Sequence, residues 1–489
     1  MERKTLNFYR ELSWQELQKG NRAIVMPFQL NLADSNEPLI VTQMVRIIPG
    51  KRIVAFGTWG GKEVVAKLFY ESGKATQHAV RDRKGINALI QSGITTPTLF
   101  YQGASIDKKI QVLLFEKIQN SLNFYQLWQR KTNAEQIENL LHALTLELAT
   151  QHVLGLLQKD MHFKNFLITA KQIYILDGSD IEKFDLPLSR ETSFENLALF
   201  IAQLGVNARQ YQSELLHTYA ESRGWKLMSS DYKFLDKKIT KWQKYRWNKF
   251  QKKIFRHCSA FAKIKSTSES GMYDREEDAT ELQNFLTNCD EVFTQFVMHT
   301  LKNGRTSTVV KATMDGHQYV IKRYNVKNVS HYLRRCLRPT RAAKSWKLSQ
   351  YLTLMGIQTA RPIAFIEKRF LGLRGKSYFV MEQVAGMHIG EYFAQTSLSD
   401  ENKKRMVDKV TTLFKDLAQL RLTHGDLKMT NILIRDDEPV LIDLDGMQEH
   451  NCPFGFKRAF QRELMRFLHN WLNQPSLYKL FEEKFTTII

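Results

Sequence analysis

One set of spacings occurs twice in this chain and limits what it can fold into. Asp160, Asn165 and Asp177 are separated by five and then twelve residues, and so are Asp426, Asn431 and Asp443. In both places an acid stands 44 residues before the first aspartate, Glu116 before Asp160 and Glu382 before Asp426. These positions all differ by 266, whereas Lys67 and Lys322 differ by 255. Long-range order repeated in this way points to two copies of one structural unit. The copies are expected at 1–225 and 291–489, with a different segment, 226–290, between them.

The local patterns agree. In the first copy, Leu39–Ile48, Arg52–Thr58 and Glu63–Tyr70 read as strands. Pro49-Gly50-Lys51-Arg52 turns the first pair, and Gly60-Gly61 is a hairpin signal for the second. Lys67 lies on the third strand, six residues after Gly61. A helix is predicted over 74–92, closed by Gly93 and then Thr96-Pro97. Gln111–Phe115 is a strand ending at Glu116, and 134–157 reads as helical. The second copy runs in the same order. It has strands at Phe296–Leu301 and Thr308–Met314, an Asp315-Gly316 hairpin, and Gln318–Tyr324 carrying Lys322. A helix over 341–355 closed by Gly356 follows, then a strand Tyr378–Met381 before Glu382.

The segment between the copies is basic. Lys237 to Lys265 holds eleven Lys or Arg residues and no acid, and Ile239, Trp242, Phe250 and Ile254 fall on one helical face. Such a helix either packs its aromatics on a domain or lies on an anionic lipid or acidic glycan surface. Ser266–Asp278 is polar and reads as a mobile link. The whole chain carries +21 net charge, which favours acidic partners. No run of about 18 apolar residues occurs, so no spanning helix is expected. Residues 1–20 mix charged and apolar side chains and do not read as a secretory signal. Cys258, Cys289, Cys336 and Cys452 form no CxxC pair or disulfide framework, which fits a reducing cytoplasm.

The repeated set is the kit that phosphoryl transfer from ATP needs. One carboxylate meets the acceptor hydroxyl, and an amide oxygen and a second carboxylate hold magnesium. In the second copy Asp426 is the expected base, Asn431 and Asp443 the metal ligands, and Lys428 the cation beside the transferred charge. Lys322 would hold the ATP phosphates, with Gly304 in the covering loop and Glu382 where a hinge would receive adenine. In the first copy the matching residues are Asp160, Asn165, Asp177, Lys67 and Glu116. Two departures stand out. No Asp or Glu occurs between Gly316 and Ile366, so Lys322 lacks an acid on the following helix, whereas Asp82 is the candidate partner of Lys67. Gln158-Lys159-Asp160 replaces His424-Gly425-Asp426, and His162 stands where Lys428 does. The first copy is thus either a kinase with another acceptor or a regulatory pseudokinase.

The chain resembles the protein-kinase-like superfamily and, within it, the bacterial lipopolysaccharide core kinases. The second copy carries this through Val320-Ile321-Lys322-Arg323-Tyr324, Leu337-Arg338-Pro339-Thr340-Arg341, Gly356-Ile357-Gln358-Thr359-Ala360-Arg361-Pro362 and Ile442-Asp443-Leu444-Asp445. The first is similar through Val65-Ala66-Lys67-Leu68-Phe69 and Gly93-Ile94-Thr95-Thr96-Pro97. The resemblance implies an α+β fold of two tandem kinase-like domains, each a small antiparallel-sheet lobe plus a mainly helical lobe, with the basic helical segment between. It implies ATP and magnesium as cofactors and a heptose or Kdo sugar of the lipopolysaccharide core as acceptor. It also implies a cytoplasmic location, peripheral at the anionic inner face of the inner membrane, with nucleic acid an unlikely partner. A protein or small-molecule kinase of the same fold, and a pseudokinase scaffold binding membrane or nucleic acid, are the alternative expectations. Arg334, Arg335, Arg338 and Arg341 would clamp substrate phosphate or merely solvate a helix start.

Overall fold

The computed structural model describes residues 9–130, 133–277, 280–290, 293, 297–326 and 328–488. Phe296 and Asp278, at the ends of two expected segments, lie outside the described residues. The fold is mixed α+β with antiparallel sheets. The chain divides into two compact units, one running to residue 203 and including 208–243, the other made of 204–207 and the residues from 244 onward.

In the first unit, β1 (Arg10–Glu11), β2 (Phe28–Leu30), β3 (Leu39–Ile48), β4 (Arg52–Trp59), β5 (Lys62–Phe69), β6 (Leu99–Ala104) and β7 (Gln111–Glu116) form one sheet. Their order is β1-β2-β3-β4-β5-β7-β6, antiparallel except for β1 with β2. Gly60 and Gly61 both take positive φ, +54° and +74°, which is what a two-residue hairpin turn between twisted strands demands. Alternation along β5 buries Val64, Ala66 and Leu68 and turns Lys67 to the other face. The Ala75–Gln91 helix follows, and Gly93 ends it in the left-handed region. Beyond the sheet come short strands, β8 (Leu122–Asn123), β9 (Leu156–Gln158), β10 (Phe166–Ile168), β11 (Ile173–Ile175) and β12 (Ile181–Lys183), with helices Ala134–Val153, Arg190–Ile201 and Ala208–Ser222. The helix expected over 134–157 stops at Val153, because Leu156–Gln158 leaves it to pair with Ile181–Lys183.

The second unit's sheet has β13 (Phe261–Lys265), β14 (Glu269–Asp274), β15 (Val297–Asn303), β16 (Ser307–Met314), β17 (His317–Tyr324), β18 (Pro362–Phe370) and β19 (Leu373–Glu382). The order is β13-β14-β18-β19-β17-β16-β15, antiparallel throughout. Five strands of each sheet therefore share one order, β3-β4-β5-β7-β6 and β15-β16-β17-β19-β18. The two extra strands sit on opposite edges of that common core. Asp315 and Gly316 adopt φ +48° and +76°, the expected hairpin. The remainder is helical, with β20 (Met387–His388), β21 (Leu422–Thr423), β22 (Ile432–Arg435), β23 (Glu438–Leu441) and β24 (Gln448–Glu449) in two small sheets. The Asp400–Gln419 helix buries Met406, Val407, Val410, Phe414 and Leu417 at helical spacing. Phe414 packs on Phe460, Phe467 and Phe485 of the helices Pro453–His469 and Pro475–Phe485. This aromatic cluster fixes the end of the helix from which the Thr423–Asn431 loop departs.

Two expectations need correction. The polar stretch from Ser266 is no mobile link: Glu269–Asp274 is β14, hydrogen-bonded to β18, and Glu269 is ion-paired with Lys368. The basic segment is a 26-residue helix, Ser229–Ile254, followed by strands β13 and β14 rather than helix throughout. Its apolar face is covered by protein. Ile239, Trp247 and Ile254 are buried, Trp247 stacks on Tyr351 at 4.4 Å, and the Trp346 indole donates to the Ile254 carbonyl. The helix exposes Lys237, Lys244, Lys249 and Lys252 to solvent, together with Tyr245. Among the described residues, no helix is long and apolar enough to cross a membrane, and all four cysteines are free.

Candidate active site

In the second unit the loop after β21 presents Asp426 half-exposed. Its shape is set by backbone capture. Glu463, buried on the Pro453–His469 helix, accepts from the backbone N–H groups of His424 (2.8 Å) and Gly425 (2.6 Å), and Arg466 donates to the Gly425 carbonyl at 2.7 Å. Burial pushes the Glu463 carboxyl up, against the opposing pull of those N–H donors. Gly425 takes φ +83°, and a Cβ there would lie 2.6 Å from the Gly446 carbonyl oxygen, so only glycine fits. His424 is fully buried, and burial holds its pKa below the ordinary value. Its Nε2–H donates to the Ile442 carbonyl at 2.9 Å, tying the loop to the strand that leads to Asp443.

The predicted residues come together in two linked groups. Asn431 donates through Nδ2 to the Asp426 carbonyl at 2.6 Å, and Lys428 Nζ lies 3.1 Å from Asp426 Oδ2. Asp443 sits in the left-handed region, φ +61°, two residues past the end of β23, and its carboxylate is bonded to Lys322 from β17. A non-glycine residue held there is strained, and strain of this kind gathers at functional sites. The missing acid is found on this same loop. Asp445 Oδ2 is 3.0 Å from Lys322 Nζ and also meets Arg341, while Lys344 Nζ reaches the Asp445 carbonyl at 3.4 Å. Burial alone would raise the Asp445 carboxyl, but Lys322 and Arg341 hold it below its ordinary value. Lys322, Ser345, Ser349, Met381 and Asp443 line one narrow cleft. Glu382 and Gly304 stand at strand ends of the sheet and do not join these groups among the described contacts. The Glu382 backbone N–H donates to the Arg361 carbonyl at 2.9 Å, and the Gly304 N–H donates to the Ser307 carbonyl at 3.0 Å.

The first unit repeats the plan with different fittings. Asn165 Nδ2 donates to the Asp160 carbonyl at 3.1 Å. Asp177 is again left-handed, φ +65°. Lys67 pairs with Asp82 at 2.8 Å, as expected, and with Asp177 at 3.4 Å. Burial would lower the Lys67 pKa, but Asp82 and Asp177 reverse that and raise it. Burial opposes ionisation of Asp177, yet Lys67, Arg52 and Ser179 bring its carboxyl down to about 2. His162 accepts from the Lys164 N–H at 3.0 Å and faces the Tyr125 ring. Gln158, in the place of His424, donates to Gln151 at 2.9 Å. Glu116 accepts from Thr98 Oγ1 at 2.8 Å.

Residues 296–479 match the lipopolysaccharide kinase (Kdo/WaaP) family. The match supports a kinase-type phosphotransferase. No curated protein sequence matches the chain. Among solved structures, the crystal structure of a point mutant of the Mycobacterium tuberculosis PknI kinase domain is 13% identical, over 41% of this chain and 94% of that one, with a TM-score of 0.28.

Several residues here were not singled out from sequence. Glu463 and Arg466 form the scaffold of the Asp426 loop. A buried acid on an otherwise apolar helix face was the available signal. Arg46 and Arg52 flank the β3–β4 turn, and both act electrostatically on the first unit's carboxylates. Arg46 is pushed down by burial and by Arg52 and pulled up by Asp177 and Asp160. Asp445 was visible as a departure from the usual loop, but its partnership with Lys322 depends on tertiary contact.

Proposed function

We propose that the chain is an ATP- and magnesium-dependent kinase that phosphorylates a sugar hydroxyl, of heptose or Kdo type, in the lipopolysaccharide core. The observation that carries this reading is the Lys322–Asp443 pair beside the Asp426–Asn431 loop, within the stretch that matches the lipopolysaccharide kinase family. In this reading Asp426 orients the acceptor hydroxyl and takes its proton as the oxygen attacks the γ-phosphorus and the bond to ADP breaks. Lys428, beside Asp426, offsets charge on the moving phosphoryl group. Lys322 holds the nucleotide phosphates, Gly304 lies in the covering turn, and the strand end at Glu382 receives adenine. The donor chemistry suits magnesium: Asn431 spends its N–H₂ on the loop, which leaves its amide oxygen as one ligand, and Asp443 would add a carboxylate. When bound, the metal would neutralise phosphate charge.

The first unit, on this reading, is a second kinase-like domain with Asp160 as base, Asn165 and Asp177 for metal, and Lys67 and Glu116 for ATP. The basic surface favours a peripheral position on an anionic membrane, at the cytoplasmic face of the inner membrane where this substrate class is assembled. The test is phosphate transfer from ATP to deacylated core oligosaccharide against transfer to protein substrates. Asp426→Asn is expected to abolish transfer to the oligosaccharide with the fold intact. Phosphate appearing only on protein would overturn the sugar assignment.

A further inference from the structure

The offset between the two copies grows from 255 at the lysines to 263 at the glycines that close the next helix, Gly93 and Gly356. The second unit thus gains eight residues between lysine strand and helix, and they are built into a feature the first unit lacks. This is the short helix Val329–Arg335 and the turn after it. The segment lies against the β18–β19 hairpin tip: the Arg374 backbone N–H donates to the Cys336 carbonyl, and its guanidinium donates to the Leu337 carbonyl, both at 3.0 Å. Together these pieces expose the side chains of Leu333 (64%), Leu337 (77%), Phe370 (73%) and Leu371 (87%). Four large apolar side chains exposed on this short helix and the turns beside it are not a solvation surface.

The tip itself is unusual. Leu371 and Gly372 form its two-residue turn with φ +47° and +82°. That turn favours Asn-Gly; a leucine there is strained and gains nothing from the protein, since it is almost wholly exposed. Around the tip the charge has one sign. From His317 to Lys376 there are fourteen Lys or Arg residues and one acid, Glu367. Glu367 is buried and committed to Arg369, Arg374 and Thr340. Arg334, Arg335 and Arg338 are exposed and have no carboxylate partner among the described residues. The first unit's matching β6–β7 turn carries Asp107 and Lys108 with a single exposed apolar side chain, Ile106.

We propose that this apolar tip with its arginine collar is the surface by which the chain docks on an anionic bilayer. Leu371, Phe370 and Leu337 enter the acyl boundary while Arg334, Arg335 and Arg338 meet lipid phosphate. The surface runs directly into the site, because Thr340 caps the helix whose first residue, Arg341, grips Asp445. Docking therefore sets the Asp426 loop at the height of a membrane-borne sugar. This inference rests on the kinase reading for its purpose, but its test does not.

The experiment is flotation of the full chain with phosphatidylcholine vesicles with and without 30% phosphatidylglycerol (about the anionic share that gives a strong surface potential). Wild type should float only with the anionic vesicles. The pair Phe370→Ser and Leu371→Asn should weaken flotation at least about tenfold, with thermal unfolding unchanged because asparagine suits the turn. Arg334→Gln, Arg335→Gln and Arg338→Gln should each weaken it roughly fivefold, and less so at high salt. Transfer to soluble deacylated oligosaccharide should be unaffected in all of these variants, which separates docking from catalysis. Wild-type flotation of the Phe370/Leu371 variant would overturn the proposal. So would loss of flotation only in Lys244→Gln, Lys249→Gln and Lys252→Gln on the long basic helix. Loss of soluble turnover in the arginine variants with flotation intact would assign them to substrate phosphate and likewise overturn it.

Discussion

Lys67 takes its carboxylate from a helix, and Lys322 takes its own from a loop. The swap is reciprocal at two matched positions. Asp82 stands eleven residues before Gly93, and eleven before Gly356 stands Ser345; two residues after Asp177 is Ser179, and two after Asp443 is Asp445. Acid and serine have traded places between the units. The packing beside them accounts for this. In the first unit Gly85 of the helix and Gly178 of the loop touch backbone to backbone: a Cβ on Gly85 would lie 1.9 Å from the Gly178 carbonyl oxygen. The same two positions of the second unit hold Leu348 and Leu444, both buried. Two leucine side chains need a wider gap between helix and loop. Across that gap the loop's own aspartate, Asp445, supplies the charge. The lesson is that the site constrains the electrostatic partner of the lysine rather than the element that bears it.

The two units should therefore respond differently to substitution. Asp426→Asn should lower transfer to core oligosaccharide by about a thousandfold or more in single-turnover assays. If Asp160→Asn does this instead, the first unit is the working one. In the first unit, Asp82→Ala leaves Lys67 buried against Asp177 alone and should cost about 3 kcal/mol in denaturant unfolding of the full chain. A cost near zero would mean that the helical acid is dispensable there as well. In the second unit, Asp445→Ser should raise the KM for ATP about tenfold, a loss of one ion pair at the lysine. Adding Ser345→Asp, which faces the same cleft as Lys322, should recover part of it. Failure of that rescue together with a retained KM effect would point to the leucine-widened gap as the obstacle. The smallest effect is in pH. The Asp177 carboxyl is depressed from 3.8 to about 2, so its contribution is present above the unfolded value and lost as pH falls from 3.8 through about 2. A stability profile flat across that window would remove Lys67 and Arg52 as its partners.

Much of the architecture was legible because its signals are local. Gly60-Gly61 and Asp315-Gly316 can take left-handed turns at little cost, so the hairpins that carry Lys67 and Lys322 were readable from dipeptides. The spacing of Asp426, Asn431 and Asp443 survived into geometry because the Asn431 amide needs the Asp426 carbonyl five residues back. What was hidden depends on pairing between distant segments. The polar stretch from Ser266 looks like a linker, yet β18 supplies a strand partner for Glu269–Asp274 and Lys368 a charge partner for Glu269. The basic helix has a readable apolar face, but sequence could not say whether Trp247 would meet lipid or Tyr351. Glu463 was hidden for a similar reason: its partners are backbone N–H groups, which have no letter in the sequence.

Carrying both Asp443 and Asp445 on one short loop has a consequence for chemical selectivity. A compound that wedges the Ala75–Gln91 helix outward takes Asp82 from Lys67 and leaves that lysine Asp177 alone. The same wedge against Arg341–Met355 displaces Ser345, which carries no charge, and takes Arg341 from Asp445, but it removes neither carboxylate from Lys322. Helix-displacing ligands should therefore strip a carboxylate from Lys67 and none from Lys322, whose two carboxylates both ride on the 442–445 turn.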